Sequence, residues 1–206
     1  MRVTGGRFAG RHLKMPKGPA IRPTLDHVRQ AIFNLVGERV QGAGVLDLFS
    51  GTGALGIEAF SRGAAQVTFV DRSYFCAQAI EANLRTLSLL TPRLLPSSSP
   101  GGQANSQLLT LIRLDALAAI RRLHRQGATF DLVFLDPPYG HGLVRKSLNA
   151  LAQHAIISPS GIVVVEQEKR DPLPPRIEGK EIRLILQRRQ RYGDTALAFY
   201  ILWQTE

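Results

Sequence analysis

This sequence of 206 residues contains little cysteine and no long apolar segment. Its one cysteine, Cys76, excludes an internal disulfide and a zinc site built from cysteines, and its place in a helical pattern predicts a packing role. No run of about 18 apolar residues occurs, so no transmembrane helix is expected. The N-terminus lacks the apolar core of a signal peptide. We therefore expect a cytoplasmic protein.

Acidic residues are also scarce, with 16 Asp and Glu against 26 Lys and Arg and a net charge of +10. The excess is concentrated in residues 1–30, where seven residues are basic and only Asp26 is acidic. Clustered positive charge is typical of nucleic-acid binding. Glycines and Phe8 between the cations favour this over a plain solvated tail. We predict a basic RNA-binding arm over residues 1–22, either a hairpin or extended, before one domain over residues 23–206.

The pattern over Val45–Gly56 is that of a buried strand, a glycine turn and the start of a helix. Gly51, Gly53 and Gly56 have G-x-G-x-x-G spacing, and glycine is needed where φ is positive or the backbone passes close to a ligand. The motif alone is a weak signal. Its place between strand and helix, with Asp71 twenty residues after Gly51, favours a nucleotide cofactor over a turn without a ligand.

Strands continue to alternate with helices along the chain, which predicts an α/β fold with a mostly parallel sheet covered by helices. Thr24 is the expected N-cap of a first helix over 24–40, and Ser73 that of a later one. Residues 91–107 are rich in Ser, Pro and Gly and predict a flexible insertion loop. Residues 182–188 and 197–203 predict an antiparallel hairpin at the sheet edge.

Acidic residues lie where the predicted strands end, namely at Asp47, Asp71, Asp115, Asp136 and Glu166. The ends of parallel strands meet on one side of a sheet, where ligands bind. Asp71 is placed to accept hydrogen bonds from two ribose hydroxyls. Asp115 could accept one from an adenine amino group or cap the next helix. Asp47 could orient the glycine turn or bind a cationic group of the ligand.

Asp136, Pro137, Pro138 and Tyr139 form the second distinctive motif. Two successive prolines predict a rigid, extended corner just beyond a strand. The corner offers a carboxylate and a carbonyl as acceptors beside an aromatic ring, which suits a planar base with an exocyclic amino group. Holding that amine through its two protons would favour its attack on an electrophilic methyl group, with catalysis by positioning and electrostatics.

Together these motifs resemble S-adenosylmethionine-dependent N-methyltransferases acting on amino groups of bases, and more narrowly the RsmD family. That family methylates a guanine N2 of 16S rRNA. The resemblance runs nearly end to end. It is carried by Gly5–Arg11, Arg22–Thr24, Asp26, Val28–Arg29, Ile32–Asn34, Asp47–Gly63 and Asp136–Tyr139.

The resemblance implies a Rossmann-like class I methyltransferase with seven strands, the last antiparallel, and S-adenosylmethionine as cofactor. Asp47, Phe49, Gly51 and Gly53 would surround the methionine part, Asp71 the ribose and Asp115 the adenine. Asp136, Pro137, Pro138 and Tyr139 would receive a flipped guanine as the catalytic corner. Arg7, Arg11 and Arg22 would bind RNA. Ser50 and Thr52 replace the commoner Ala and Ser, and Tyr139 replaces Phe.

Other functions remain open at this point. An NAD-dependent dehydrogenase would not need the Asp136–Tyr139 motif or the basic arm. A non-catalytic RNA-binding assembly factor would not need an intact corner. The substrate could also be DNA, another RNA or a protein amide, and 16S rRNA could be met free or in a partly assembled small subunit. We expect a monomer, since no coiled-coil or exposed apolar stripe predicts a dimer.

Overall fold

The computed structural model describes residues 1–15, 24–87, 89, 93–94, 109–139 and 142–203. The chain forms two compact units, Met1–Asp115 and Ala116–Glu206. Arg22 lies outside the described residues, as does the predicted insertion loop 91–107 apart from Arg93–Leu94.

In the first unit, helices and strands alternate from the first helix to the third strand, and all paired strands that the structure describes run parallel. Its helices are α1 (Asp26–Val36), α2 (Ala54–Ser61) and α3 (Tyr74–Thr86). Its strands are β1 (Gly44–Leu48), β2 (Gln66–Val70), β3 (Arg93–Leu94) and β4 (Leu109–Ile112). They lie in the order β3-β4-β2-β1. Every residue of β1 is buried, as expected for a parallel strand with both faces covered.

The second unit begins with α4 (Ala116–Arg125), β5 (Phe130–Leu135), α5 (Leu143–Gln153) and β6 (Ile157–Glu168). It ends with β7 (Arg176–Glu178), β8 (Arg183–Tyr192) and β9 (Thr195–Leu202). The order is β5-β6-β9-β8-β7. β5 and β6 are parallel, whereas β9 is antiparallel to both β6 and β8. Within the described ranges, no helix has the length and apolar character needed to span a bilayer.

This architecture confirms the predicted fold class. Seven of the described strands have four or more residues, and the last of them is antiparallel to its neighbours. β3 and β7 add two and three residues respectively. Strands this short carry no readable alternation, which explains why the pattern did not predict them.

Two of the local predictions are confirmed and one is wrong. Ser73 caps α3, accepting a hydrogen bond from the Cys76 backbone N–H at 3.4 Å. Cys76 is buried, and burial raises the pKa of its thiol, so it packs as an inert side chain. Thr24 is not the N-cap of α1, because the helix begins at Asp26 and Leu25 holds the capping position without a side-chain hydrogen bond.

The N-terminal segment folds as a hairpin against α2. An antiparallel bridge joins Arg2 to His12, and the turn between them contains a short 3-10 helix at Gly6–Phe8. A Cβ on Gly6 would lie 2.0 Å from the Ser61 carbonyl oxygen, and the φ of Gly6 is +74°. Only glycine fits there. The basic segment therefore begins as ordered structure attached to the domain.

Glu58 of α2 holds this hairpin through a buried ionic network. One carboxylate oxygen accepts from the Thr4 backbone N–H at 2.7 Å and from Arg29 Nε at 3.3 Å. The other accepts from the Thr4 hydroxyl and from Arg62 Nε, both at 2.8 Å. The side chains of Glu58 and Arg29 are fully buried. A buried carboxylate is stable only when its charge and lone pairs are satisfied in this way.

Arg29 completes the network from α1. Its guanidinium donates to the Thr24 carbonyl at 3.3 Å, to Asp26 at 3.0 Å and to the Arg2 carbonyl. The hairpin and the first two helices are thus joined through one pair of buried charges.

We expect Glu58→Gln to lower the free energy of unfolding by about 3–5 kcal/mol, the usual loss when one partner of a buried ion pair is removed. The amide would direct an N–H group towards groups that are themselves donors. Urea denaturation measures the loss. The matched control is Glu81→Gln, because Glu81 also pairs with an arginine four residues on, Arg85, at 3.4 Å. Arg85 is 64% exposed, so we expect about 0.3–0.5 kcal/mol there. Equal losses in the two variants would contradict the importance of the buried network.

Candidate functional site

The turn between β1 and α2 has an unusual backbone. Phe49, Gly51 and Gly53 have φ angles of +62°, +54° and +77°. Phe49 is the one non-glycine residue with positive φ among those described. This conformation is unfavourable for a bulky side chain, and such strain is concentrated at functional sites. The turn is the strongest backbone signal for a site in this unit.

Hydrogen bonds fasten this turn to the end of β2. The Ser50 hydroxyl accepts from the Val70 backbone N–H at 2.8 Å and lies 2.5 Å from the Asp47 carbonyl, to which it donates. The Ser50 backbone N–H donates to the Val70 carbonyl at 3.0 Å. Asp71 accepts from the Gly51 backbone N–H at 2.9 Å. The turn is therefore held in place by atoms of the neighbouring strand.

Asp47 stabilises the other end of the turn. Its side chain is buried, and one carboxylate oxygen accepts from the Gly56 backbone N–H at 2.9 Å. That N–H belongs to the first turn of α2, where backbone donors lack helical partners and a negative charge is favourable. This contact corresponds to the first of the two roles considered for Asp47, orientation of the glycine turn.

Gly53 and Gly56 allow α2 to approach the sheet and α3 closely. A Cβ on Gly56 would lie 2.4 Å from Cε1 of Phe69 and 2.8 Å from Cγ1 of Val67. A Cβ on Gly53 would lie 3.1 Å from Cγ1 of Ile80. The glycine motif thus serves packing as well as any ligand, in keeping with the separate roles of its glycines in dinucleotide-binding folds.

Asp71 lies half-buried beside this turn. Its Oδ2 accepts from Gly51 and its Oδ1 accepts from the Ser73 backbone N–H at 2.8 Å. A carboxylate has about four lone-pair directions, so two acceptor positions remain after these bonds. That capacity matches a bidentate interaction with two vicinal hydroxyls.

Asp115 follows a strand adjacent to that of Asp71. β4 pairs with β2 in register Ile112↔Val70, and the Asp71 backbone N–H donates to the Ile112 carbonyl at 3.3 Å. Asp115 is exposed. The structure therefore places Asp47, Asp71 and Asp115 at the carboxyl ends of neighbouring strands in the first unit.

The Asp136–Tyr139 corner belongs to the second unit and directly follows β5. Asp136 and Tyr139 are half-buried, Pro137 is buried and Pro138 is exposed. Leu135 pairs with Val165, so Asp136 and Glu166 follow this pair on adjacent parallel strands. The corner has the position predicted for it, at the carboxyl end of a buried strand.

Two of the three predicted RNA-binding arginines lie on the N-terminal hairpin. Arg7 and Arg11 are exposed, and the Arg11 backbone N–H donates to the Phe8 carbonyl at 3.1 Å. The Arg7 guanidinium lies 4.6 Å from the ring centre of Phe8 and 4.3 Å from that of Phe60. These cation–π contacts hold the guanidinium against the two rings. Arg22 is outside the described residues.

One residue that the sequence did not single out connects the hairpin to the glycine turn. Asn83 of α3 is fully buried. Its Nδ2 donates to the Thr52 carbonyl at 3.0 Å and to the Lys14 carbonyl at 3.1 Å, and its Oδ1 accepts from the Lys14 backbone N–H at 2.6 Å. The sequence signal that could have identified Asn83 is its position as a polar residue on the apolar side of a helix, between Ile80 and Leu84.

The fold is that of the Rossmann-like methyltransferases. A solved structure described as "Putative methyltransferase yhhF from Escherichia coli" matches it with a TM-score of 0.75 and 27% identity, covering 100% of this chain and 99% of that chain. The family model described as Conserved hypothetical protein 95 matches residues 1–201. The chain belongs to this family, the RsmD family indicated by its motifs.

Two curated relatives show the same family. A Bacillus subtilis protein named "Putative rRNA methyltransferase YlbH" is 34% identical over 200 residues, covering 97% of this chain and 98% of the relative. The Escherichia coli protein named "Ribosomal RNA small subunit methyltransferase D" is 32% identical over 174 residues, covering 84% and 78% respectively.

The packing at Gly56 can be tested by a double-mutant cycle. We expect Gly56→Ala to lower the free energy of unfolding by about 1–3 kcal/mol, because the added methyl group overpacks the contact with Phe69. In the Phe69→Leu background the same change should cost less, since the ring edge is gone, and this coupling is measured by urea denaturation of all four proteins. Strict additivity would show that the methyl group is accommodated without involving Phe69.

Proposed function

We propose that this protein transfers a methyl group from S-adenosylmethionine to N2 of a guanine in 16S rRNA. The observation that carries the proposal is the Asp136–Tyr139 corner at the end of β5, present in a chain of the RsmD family. The names of the relatives support methylation of rRNA as the general activity. The guanine N2 specificity goes beyond those names and is our inference.

The first unit would hold the cofactor. Asp47, Phe49, Gly51 and Gly53 shape the turn that would surround the methionine part. Asp71 retains acceptor capacity for the ribose hydroxyls after its two bonds to the backbone, and the exposed Asp115 would accept from the adenine amino group. When bound, S-adenosylmethionine supplies a methyl group on a positively charged sulfur. The rigid turn then fixes the position of the methyl donor without reorganisation.

The second unit would hold the base. The Asp136 carboxylate and the Pro137 carbonyl would accept the two N–H bonds of the guanine amino group, and the Tyr139 ring would stack on the base. Pro138 would keep the corner extended. The nitrogen lone pair of such an amine is delocalised into the ring. Fixing both protons out of the ring plane makes it available for attack, so catalysis depends on position and charge more than on a strong base.

The basic hairpin would supply RNA contacts that do not depend on base sequence. Arg7 and Arg11 are exposed on ordered backbone, and Arg22 would add a third cation. We propose that the partner is 16S rRNA or a small-subunit assembly intermediate, that the protein acts as a monomer, and that it works in the cytoplasm, where this RNA is processed.

The proposal is tested with 16S rRNA from a strain lacking the gene. Purified wild-type protein and S-adenosylmethionine should produce N2-methylguanosine, detected by mass spectrometry of the nucleosides. We expect Asp136→Ala to lower the rate by at least about 100-fold, since it removes an acceptor that positions the nucleophile. Naked rRNA and partly assembled subunits should be compared as substrates.

The matched control is Asp131→Ala on the same strand, where the carboxylate accepts from the Ser158 hydroxyl at 2.7 Å. It should keep the methylation rate within a few fold. A different methylated nucleoside would correct the specificity. If wild-type protein binds the RNA but methylates none of it, the protein is a binding factor and the catalytic proposal is wrong.

The arm makes a separate prediction about salt. We expect Arg7→Gln/Arg11→Gln to weaken rRNA binding and to reduce the slope of log K against log salt by about 1.4–1.8, the amount lost with two phosphate contacts. Filter binding over a salt series measures it. Arg39→Gln/Arg85→Gln removes the same charge from exposed positions elsewhere in the first unit. An unchanged slope in the Arg7/Arg11 variant, or the same change in both double variants, would show that the hairpin makes no specific phosphate contact.

A further inference from the structure

A second concentration of positive charge lies in the second unit, on β8 and the loop after β6. β8 contains Arg183, Arg188, Arg189 and Arg191 and no acidic residue. All four side chains are exposed, as is Arg170 in the loop. This cluster lies far along the chain from the basic arm and is not explained by it.

Most of this charge is not neutralised by nearby carboxylates. Arg183 pairs with Glu178 at 2.8 Å and Lys169 with Asp194 at 2.6 Å. Across the described ranges, no ion pair is seen for the remaining four arginines, Arg170, Arg188, Arg189 and Arg191. We call these four residues the C-terminal basic cluster.

One member of the cluster, Arg189, is held in place by carbonyl groups, which position an arginine without cancelling its charge. Arg189 Nη2 donates to the Lys169 carbonyl at 2.9 Å and lies 3.4 Å from the Asp171 carbonyl. Gln167 Nε2 also donates to the Asp171 carbonyl, at 2.8 Å. These bonds fasten the loop that carries Arg170 against β8.

The cluster lies at the same end of its sheet as the Asp136–Tyr139 corner. β8 is antiparallel to β9, and β9 is antiparallel to β6, so β8 runs in the same direction as β5 and β6. Arg188–Arg191 therefore occupy the carboxyl end of β8, as the corner follows the carboxyl end of β5. Three strand spacings separate β5 from β8, which corresponds to about 14 Å.

We propose that the C-terminal basic cluster binds the phosphate backbone of the RNA that presents its base to the corner. Arg188 points to one face of β8 and Arg189 and Arg191 to the other, so the RNA would lie along the open edge of the strand, where both faces can be reached. This inference rests on the proposed function and extends it from the arm to a second contact surface. Exposed arginines suit the role, because a guanidinium donates two parallel hydrogen bonds to a phosphate. Phosphate contacts at the arm and at the cluster would orient the RNA whose guanine enters the corner, without themselves reading base sequence.

A competing explanation is protection of a strand edge. β7 covers β8 only at Arg183–Ile185, and among the described strands nothing pairs with the other edge of Arg188–Tyr192. Charged side chains on an open edge prevent aggregation. The two explanations differ in what happens to RNA affinity.

The test uses the full-length protein with Arg188→Gln/Arg191→Gln, sparing Arg189 for its structural bonds. We expect the Kd for a 16S rRNA transcript to rise about 10-fold or more at 0.1 M salt, and the salt slope to fall by about 1.4 for two contacts. The KM for rRNA should rise with little change in kcat, and S-adenosylmethionine binding by calorimetry should not change. The matched control is Arg121→Gln/Arg125→Gln on α4, which removes the same charge from exposed positions of the same unit.

The other possible results distinguish failure of this inference from failure of the proposed function. Wild-type protein that methylates 16S rRNA, together with an Arg188/Arg191 variant of unchanged affinity and slope, would overturn this inference and leave the proposed function standing. Wild-type protein without methylation would overturn the proposed function itself. Aggregation of the variant with unaltered RNA affinity would assign the arginines to edge protection. Arg170→Gln, a loop substitution outside the strands, gives the same readout if the β8 variant fails to fold, and should lower the slope by about 0.7.

Discussion

The charge pair between Glu58 and Arg29 is the contact on which the N-terminal half depends. Neither side chain reaches solvent, and each satisfies the other while also binding backbone atoms of the N-terminal hairpin. Because hydrogen bonds are directional, the pair specifies which backbone groups bind to it, and an apolar contact would not do so. Such a pair is weak evidence for high stability. Its value here is that a basic hairpin, which would otherwise repel the arginines of the domain, has one defined position.

Polar side chains that bind backbone groups also fix the conformation of the glycine turn. Ser50, Asp47 and Asp71 direct their oxygen atoms to backbone groups of the turn and of the strands beside it, so an unfavourable backbone at Phe49 is held by several bonds at once. Asn83 joins this turn to Lys14 of the hairpin. The proposed cofactor turn and the proposed RNA arm are thus supported by one buried amide, and substitution of that amide would disturb both.

Much of the fold was readable because its signals are periodic or conformational. Continuous apolar runs predicted the buried strands. The spacing of the glycines, residues that tolerate positive φ, predicted the turn. Asp71 and the Asp136–Tyr139 corner were predicted as site residues because acids and prolines at strand ends are unusual, and their roles in the site stay predictions. The network around Glu58 could not be predicted, since its partners other than Arg62 lie 29 or 54 residues away in sequence. Thr24 was a reasonable cap by residue type, but the cap position depends on where tertiary contacts let the helix begin, and α1 begins two residues later.

The two prolines of the Asp136–Tyr139 corner have a consequence for chemical selectivity. Proline has no backbone N–H, so over Pro137 and Pro138 the main chain offers carbonyl groups alone. In the proposed site, a ligand edge that presents only acceptors, such as a keto oxygen in place of the amino group, would set its lone pairs against those of the carbonyls and leave the carbonyls without a donor. Sites built to receive a donor reject analogues that lack it far more strongly than sites of matching shape. If the corner binds the base as proposed, the hydrogen-bond polarity of the backbone itself, independent of any side chain, would thus favour amino-bearing bases.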